Sequence, residues 1–231
     1  MSCARGNGFL VIIVALNRHV CHIVAMKHQE LIQKVPGHGV FRVGQILSGQ
    51  ASPADVRRQL SRWVQSGKVL QLRRSVYAMS DSYSKTSPHP FLVGNLLKKA
   101  SYVSLQSALA HYGMIPEYVP VTTSITTGRP EKISTPIGRF VFRHITKRLW
   151  HGFVETEVIP GQSVLLATPY KALVDLLYLT PNSDDESYLR ELRVVRSVAF
   201  DDAALHLEAE RSGSKKVVRA VERLSNLWED I

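Results

Sequence analysis

Residues 52–79 read SPADVRRQLSRWVQSGKVLQLRRSVYAM, and this stretch decides the fold. Ser52 is placed to cap a helix, Pro53 fills the first turn, where a missing N–H costs little, and Asp55 complements the positive end of the helix dipole. The helix is expected to run to about Ser66, with Gly67 ending it. Along it Val56, Leu60, Trp63 and Val64 fall at i, i+4, i+7 and i+8, one apolar stripe that must pack on preceding helices. Ala54, Arg58, Ser61 and Gln65 project from the opposite side, flanked by Arg57 and Arg62. After Gly67 two short strands are expected, joined at Arg73, Arg74 and Ser75. Val69, Gln71 and Arg73 alternate there with Leu70 and Leu72, so that one side covers the core while the basic tip projects.

Upstream, the pattern runs from a short helix, KHQELIQKV, through a Pro-Gly turn to a second short element at 40–47 and a turn at Ser48, Gly49 and Gln50. Together these elements predict a winged helix-turn-helix over residues 27–85. Such a module divides its labour: helix residues read base edges while wing residues hold phosphates. A small Ala54 near the helix start lets the backbone approach the bases, and Arg58 offers two donors that match guanine O6 and N7. Lys68, Arg73 and Arg74 complete the expected DNA-binding set of Ala54, Arg57, Arg58, Ser61, Arg62 and Gln65. A solvated basic face is the competing account, which three arginines without an acid four residues on weaken.

The 231-residue chain carries a formal net charge of +10, a surplus that favours polyanionic partners. Its spread is uneven. Residues 27–85 hold ten Lys or Arg against three acids, a net of +7, whereas residues 171–231 hold nine against twelve, a net of −3. Hydrophobic content of 45% with 21% charged residues is ordinary for a globular protein. Cys3 and Cys21 are the two cysteines, so no disulfide framework or cysteine zinc site is expected to hold the body together, which fits a reducing cytoplasm. His19, Cys21 and His22 supply no second spaced pair, and no metal is expected. Residues 9–16, FLVIIVAL after Arg5, resemble a short signal-peptide core but are too short to span a bilayer and lack a clean cleavage site. Residues 1–26 are therefore read as an N-terminal extension rather than a secretion signal, with no membrane partner expected.

A Ser, Pro and His cluster over residues 80–90 reads as a linker to a larger domain, residues 86–231. Ser104 is expected to cap a helix bearing Leu105, Ala108, Leu109 and Tyr112, ended by Gly113. Strands are expected near residues 119–126, 139–145, 154–159 and 163–167, then a helix over 169–179 capped by Thr168, then three more helices. The last, over 215–228, has Val217, Val221, Leu224 and Trp228 along one face. The fold class is thus α+β, closing in helices. Arg139, Val141 and Arg143 alternate with Phe140, Phe142 and His144, and with Arg129, Lys132, Lys147 and Arg148 they make a second basic area. DNA beside the wing, RNA, an acidic partner and plain solvation all remain open readings for it.

The stretch 52–79 resembles the N-terminal domain of AbiEi-type antitoxins of bacterial AbiE toxin–antitoxin systems and related regulators of viral defence. Gly67, Leu72, Arg73, Arg74, Val76 and Tyr77 match that pattern, but Ser75 stands where the family has Gly, so the turn is of another type or strained. VSLQSALAHYGMIPE at Val103, VTTSITTGRPEKISTPIGRFVFRHI at Val121 and LLATPYKALVDLLYL at Leu165 extend the resemblance to about residue 180. It implies an abortive-infection antitoxin that represses its own promoter at inverted-repeat operator DNA. It also implies that the chain opposes a nucleotidyltransferase-like toxin from the neighbouring gene, without requiring a stable complex.

Lys171 and Asp175, one turn apart, invite a catalytic reading, but a helical ion pair explains the spacing as well. No P-loop, HExxH or GxSxG motif occurs, His111 and His144 have no identifiable partners, and neither enzyme activity nor a cofactor is expected. Two other functions stand beside the antitoxin: a ligand-responsive winged-helix transcription factor without a toxin, and a DNA-directed nuclease.

Overall fold

A computed structural model describes residues 27–47, 52–196 and 200–229. The apolar run at residues 9–16, both cysteines, His19, His22 and the turn at Ser48, Gly49 and Gln50 lie outside the described residues. The fold is mixed α+β, built on two sheets. It opens with α1 (His28–Lys34), β1 (Val40–Arg42), α2 (Val43–Ile46), α3 (Pro53–Gln65), β2 (Val69–Arg73) and β3 (Val76–Met79). The second element expected at 40–47 is therefore two, a strand that turns into a single helical turn. β3 lies between β1 and β2 and is antiparallel to both.

The start of α3 follows its sequence signals. The Ser52 hydroxyl accepts from the Ala54 N–H at 3.3 Å, and Gly67, at φ 68°, takes the left-handed turn that releases the chain into β2. Val56, Leu60 and Trp63 are buried against Leu31, Phe41, Ile46 and Tyr77, forming the core of this N-terminal unit. Full burial of such side chains stabilises by roughly 1.5–3 kcal/mol each.

The hairpin keeps the expected alternation as far as a bulge between Gln71 and Arg73: Val69 enters the N-terminal core, while Leu70 and Leu72 face the far side. There Leu72, with Val40, Val76 and Ala78, meets Val93, Leu97, Phe140 and Phe142. Both faces of the small sheet are thus covered, one by its own helices and one by the rest of the chain.

That remainder begins with α4 (Pro90–Leu97), β4 (Ser101–Val103), α5 (Leu105–His111), β5 (Val121–Thr126), β6 (Glu131–Thr135) and β7 (Gly138–His144). It continues with β8 (Phe153–Ile159), β9 (Gln162–Ala167), α6 (Pro169–Leu179), α7 (Glu186–Leu192), α8 (Asp202–Arg211) and α9 (Lys215–Glu229). The second sheet has the order β6-β7-β5-β4-β9-β8. The pairs β5–β7 and β4–β9 are parallel, and the other neighbours are antiparallel. The segment read as a linker, residues 80–90, holds a 3-10 turn at Asp81–Tyr83 and ends on Pro90, the first residue of α4, with the His89 ring nitrogen accepting from the Phe91 N–H. A Cβ on Gly94 would sit 3.5 Å from the Thr122 methyl group, an ordinary van der Waals contact, so α4 packs on the sheet with room for a methyl group there.

Helix α6 is apolar on nearly every side, with Ala172, Leu173, Val174, Leu176 and Leu177 all buried. A helix buried all round must pair any polar side chain it carries. It does so with Lys171 and Asp175.

Candidate nucleic-acid interface

Ala54, Arg57, Arg58, Ser61, Arg62 and Gln65 are all exposed on α3, opposite the stripe that enters the core. Neither Arg57 nor Arg62 has an acidic partner among the described residues. Arg58 does have one, one turn back rather than one turn on: its guanidinium meets the Asp55 carboxylate at 3.0 Å. With 65% of the Arg58 side chain exposed, such a pair contributes roughly 0.2–1 kcal/mol and restrains the guanidinium only weakly. Lys68 is half-buried at the foot of β2, and Arg74 is exposed in the hairpin turn.

Ser75 completes that turn at φ 66°, so the expected turn strain is present. Its carbonyl accepts from the Val43 N–H at 3.1 Å, which ties the hairpin tip to the start of α2. A left-handed non-glycine residue costs roughly 1–2 kcal/mol. Ser75→Gly is therefore expected to raise the melting temperature by about 1–3 °C after the entropy cost of glycine is set against the relief. A lower melting temperature in a thermal scan would count against strain at this position.

Arg73 is not the free tip residue that the sequence led us to expect. Its guanidinium grips Glu131 of β6 through two contacts of 3.0 and 3.1 Å and donates to the Leu97 carbonyl at 3.3 Å. Lys98 joins the same carboxylate at 3.1 Å. Partial burial opposes the charge on Glu131, yet the Lys98 and Arg73 contacts outweigh it and hold the carboxyl below its usual range. Sequence reasoning missed Glu131, because nothing in the order of residues brings β6 beside the hairpin.

The second basic area divides in the same way. Arg139 and Arg143 are exposed on β7 and alternate with buried Phe140 and Phe142, as the pattern predicted. Lys132, paired in register with Val141, shares that face. Arg143, however, donates to the Leu179 carbonyl at the end of α6, at 3.0 Å. Arg148 reaches the Arg211 and Ser212 carbonyls at the end of α8, at 3.2 and 2.7 Å. It lies so close to Gly213, at φ 64°, that a Cβ there would stand 2.9 Å from the guanidinium. Both arginines thus satisfy orphan helix carbonyls and complement the negative end of a helix dipole. Arg129, Lys132, Arg139 and Lys147 keep exposed side chains with no acidic partner among the described residues.

Lys171 and Asp175 form an ion pair of 2.6 Å with side chains 1% and 0% exposed. The second carboxylate oxygen accepts from the Tyr102 hydroxyl at 2.9 Å and the Ser104 hydroxyl at 2.8 Å. Ser104, expected to cap α5, points its hydroxyl into this network instead and makes no side-chain cap. Burial, then the Asp175 carboxylate, holds the Tyr102 phenol protonated far above its ordinary range. Burial also lifts the Asp175 carboxyl, and Lys171 with the two hydroxyls pulls it back. A pair closed to solvent meets no substrate, so its geometry is structural.

No protein-family model matches the chain. No curated protein matches it in sequence. Among solved structures it is similar to the crystal structure of the RV2827C protein from Mycobacterium tuberculosis, with a TM-score of 0.50 at 14% identity, over 85% of this chain and 74% of that one. At that identity the likeness is one of fold. No helix among the described residues is long and apolar enough to cross a membrane.

Proposed function

We propose that the chain is a sequence-specific double-stranded DNA-binding repressor and the antitoxin of a phage-defence toxin–antitoxin operon. In this reading residues 27–85 are a winged helix-turn-helix, with α3 as recognition helix and β2–β3 as wing. Residues 86–231 oppose a nucleotidyltransferase-like toxin, and the site of action is the cytoplasm. The observation that carries DNA binding is the outer face of α3. There a small residue, three arginines and two amide or hydroxyl side chains stand exposed over a packed core, on the chain segment with a net charge of +7. The antitoxin half rests on the resemblance of the segments at Val103, Val121 and Leu165 to AbiEi-type antitoxins. A second reading, a ligand-responsive transcription factor without a toxin, draws support from an open cavity of about 820 Å³ between the start of β5 and α7.

The test compares two arginines in the full-length protein on DNA from upstream of its own gene. Arg58→Ala is expected to cost about 1–3 kcal/mol there and to relax preference at one base pair. Arg74→Ala is expected to weaken all sequences alike and to reduce the salt slope by about one. Equal losses on operator and random DNA for Arg58→Ala would remove it from base reading. For the antitoxin half, co-expression should restore growth to cells producing the toxin of the adjacent gene, and persistent arrest would leave the repressor alone standing.

A further inference from the structure

The cavity beside α7 shares no lining residue with the α3 face and is used by nothing in the DNA-binding reading. Its volume of about 820 Å³ falls within the roughly 300–1,000 Å³ typical of small-molecule sites. Val119, just before β5, and Val121 at its start, with Leu192 of α7, give it apolar walls. Two aromatic rings line it, Tyr188 half-buried and Tyr118 89% exposed, and neither phenol makes a hydrogen bond among the described residues. An aromatic side chain held that far out of the core leaves both ring faces free for a ligand.

The charges at the rim choose the ligand class. Glu117 is matched by Arg193 at 2.5 Å, and that hydrogen bond keeps its carboxyl below the ordinary range. Glu191 is exposed, lines the same cavity and has no partner among the described residues. The rim therefore carries one uncompensated negative charge in the acidic part of an otherwise basic protein. A carboxylate beside two tyrosine rings favours a desolvated cation, which the ring faces attract as well. It repels phosphates and carboxylates, so nucleotides are the wrong chemistry. We propose that this cavity binds an amphipathic organic cation, a quaternary or protonated centre carried on an apolar aromatic body.

Tetraphenylphosphonium and tetraphenylborate, nearly identical in shape and opposite in charge, make the test. Titrated calorimetrically into the full-length protein, the phosphonium should bind saturably at one site. The borate should not compete for that site, even though the net charge of +10 would attract it. Glu191→Gln and Tyr118→Ala, both at exposed positions where folding is undisturbed, should each weaken the phosphonium by roughly tenfold. Glu155→Gln, an exposed carboxylate on β8 outside the cavity, should leave it unchanged. Absence of saturable phosphonium binding would overturn the proposal. So would competition by the borate, unaltered affinity in Glu191→Gln, or an equal loss in Glu155→Gln. None of these outcomes bears on DNA binding, which is measured with a different ligand at a different face.

Discussion

Asp175→Ala is expected to destabilise the protein by about 3–5 kcal/mol, the largest loss we foresee from one side chain. The substitution leaves the Lys171 ammonium, 1% exposed, without its partner at 2.6 Å, and strips the Tyr102 and Ser104 hydroxyls of their common acceptor. Each deprived group then bears its desolvation cost uncompensated. For a chain of this length the melting temperature should fall by roughly 6–20 °C. Asp175→Asn, which keeps an acceptor for the hydroxyls, should lose less. The double change Lys171→Met with Asp175→Leu removes both charges and should recover much of the deficit, because apolar replacements of a buried pair are often neutral. Urea unfolding of the four proteins checks this order. A loss for Asp175→Ala no larger than that of an exposed substitution would mean that water reaches the pair.

The same network shows where sequence reasoning reaches and where it stops. The i, i+4 spacing of Lys171 and Asp175 announces an ion pair, and the apolar neighbours in PYKALVDLLYL place it on a helix. That both ends are buried follows only once α5, α8 and α9 close around α6, and that Ser104 serves Asp175 rather than its own helix follows only from β4 packing beside it. Local grammar decided α3 almost residue for residue, because its cap, its stripe and its terminal glycine all lie within one turn of what they act on. β4 and α4 escaped for opposite reasons. Three consecutive buried residues have no period, and α4 starts on Pro90, the last residue of the Ser-Pro-His cluster that reads as a linker.

Charge is the subtler case. In sequence every arginine of the basic half counts toward polyanion affinity, but several are committed to helix ends. The last carbonyls of α4 accept from Arg42 and Arg73, those of α6 from Arg143 and Lys216, and those of α8 from Arg148. Residue order cannot reveal this use, since the carbonyls lie 24 to 63 residues from the arginines that serve them. What remains free narrows the DNA-binding reading to the α3 face, Lys68 and Arg74, and the exposed Arg129, Lys132, Arg139 and Lys147.

That narrowing yields the prediction with the largest effect on function. The double change Arg57→Glu with Arg62→Glu is expected to weaken operator binding by about a thousandfold or more. Each lost arginine contact to a base or phosphate accounts for about 1–3 kcal/mol, and each new carboxylate adds repulsion from the backbone. Both positions are exposed and neither has an acidic partner among the described residues, so the substitutions break no ion pair in the free protein. The apolar stripe of Val56, Leu60 and Trp63 is untouched, and the melting temperature should stay within about 2 °C of the parent. The contrasting pair, Arg139→Glu with Arg143→Glu, should weaken DNA less and melt earlier, because Arg143 holds the Leu179 carbonyl at the end of α6. Affinity at two salt concentrations separates these effects from simple loss of charge. If the α3 double variant binds operator as tightly as the parent while remaining folded, α3 is not the surface that meets DNA, and the Arg139 face becomes the place to look.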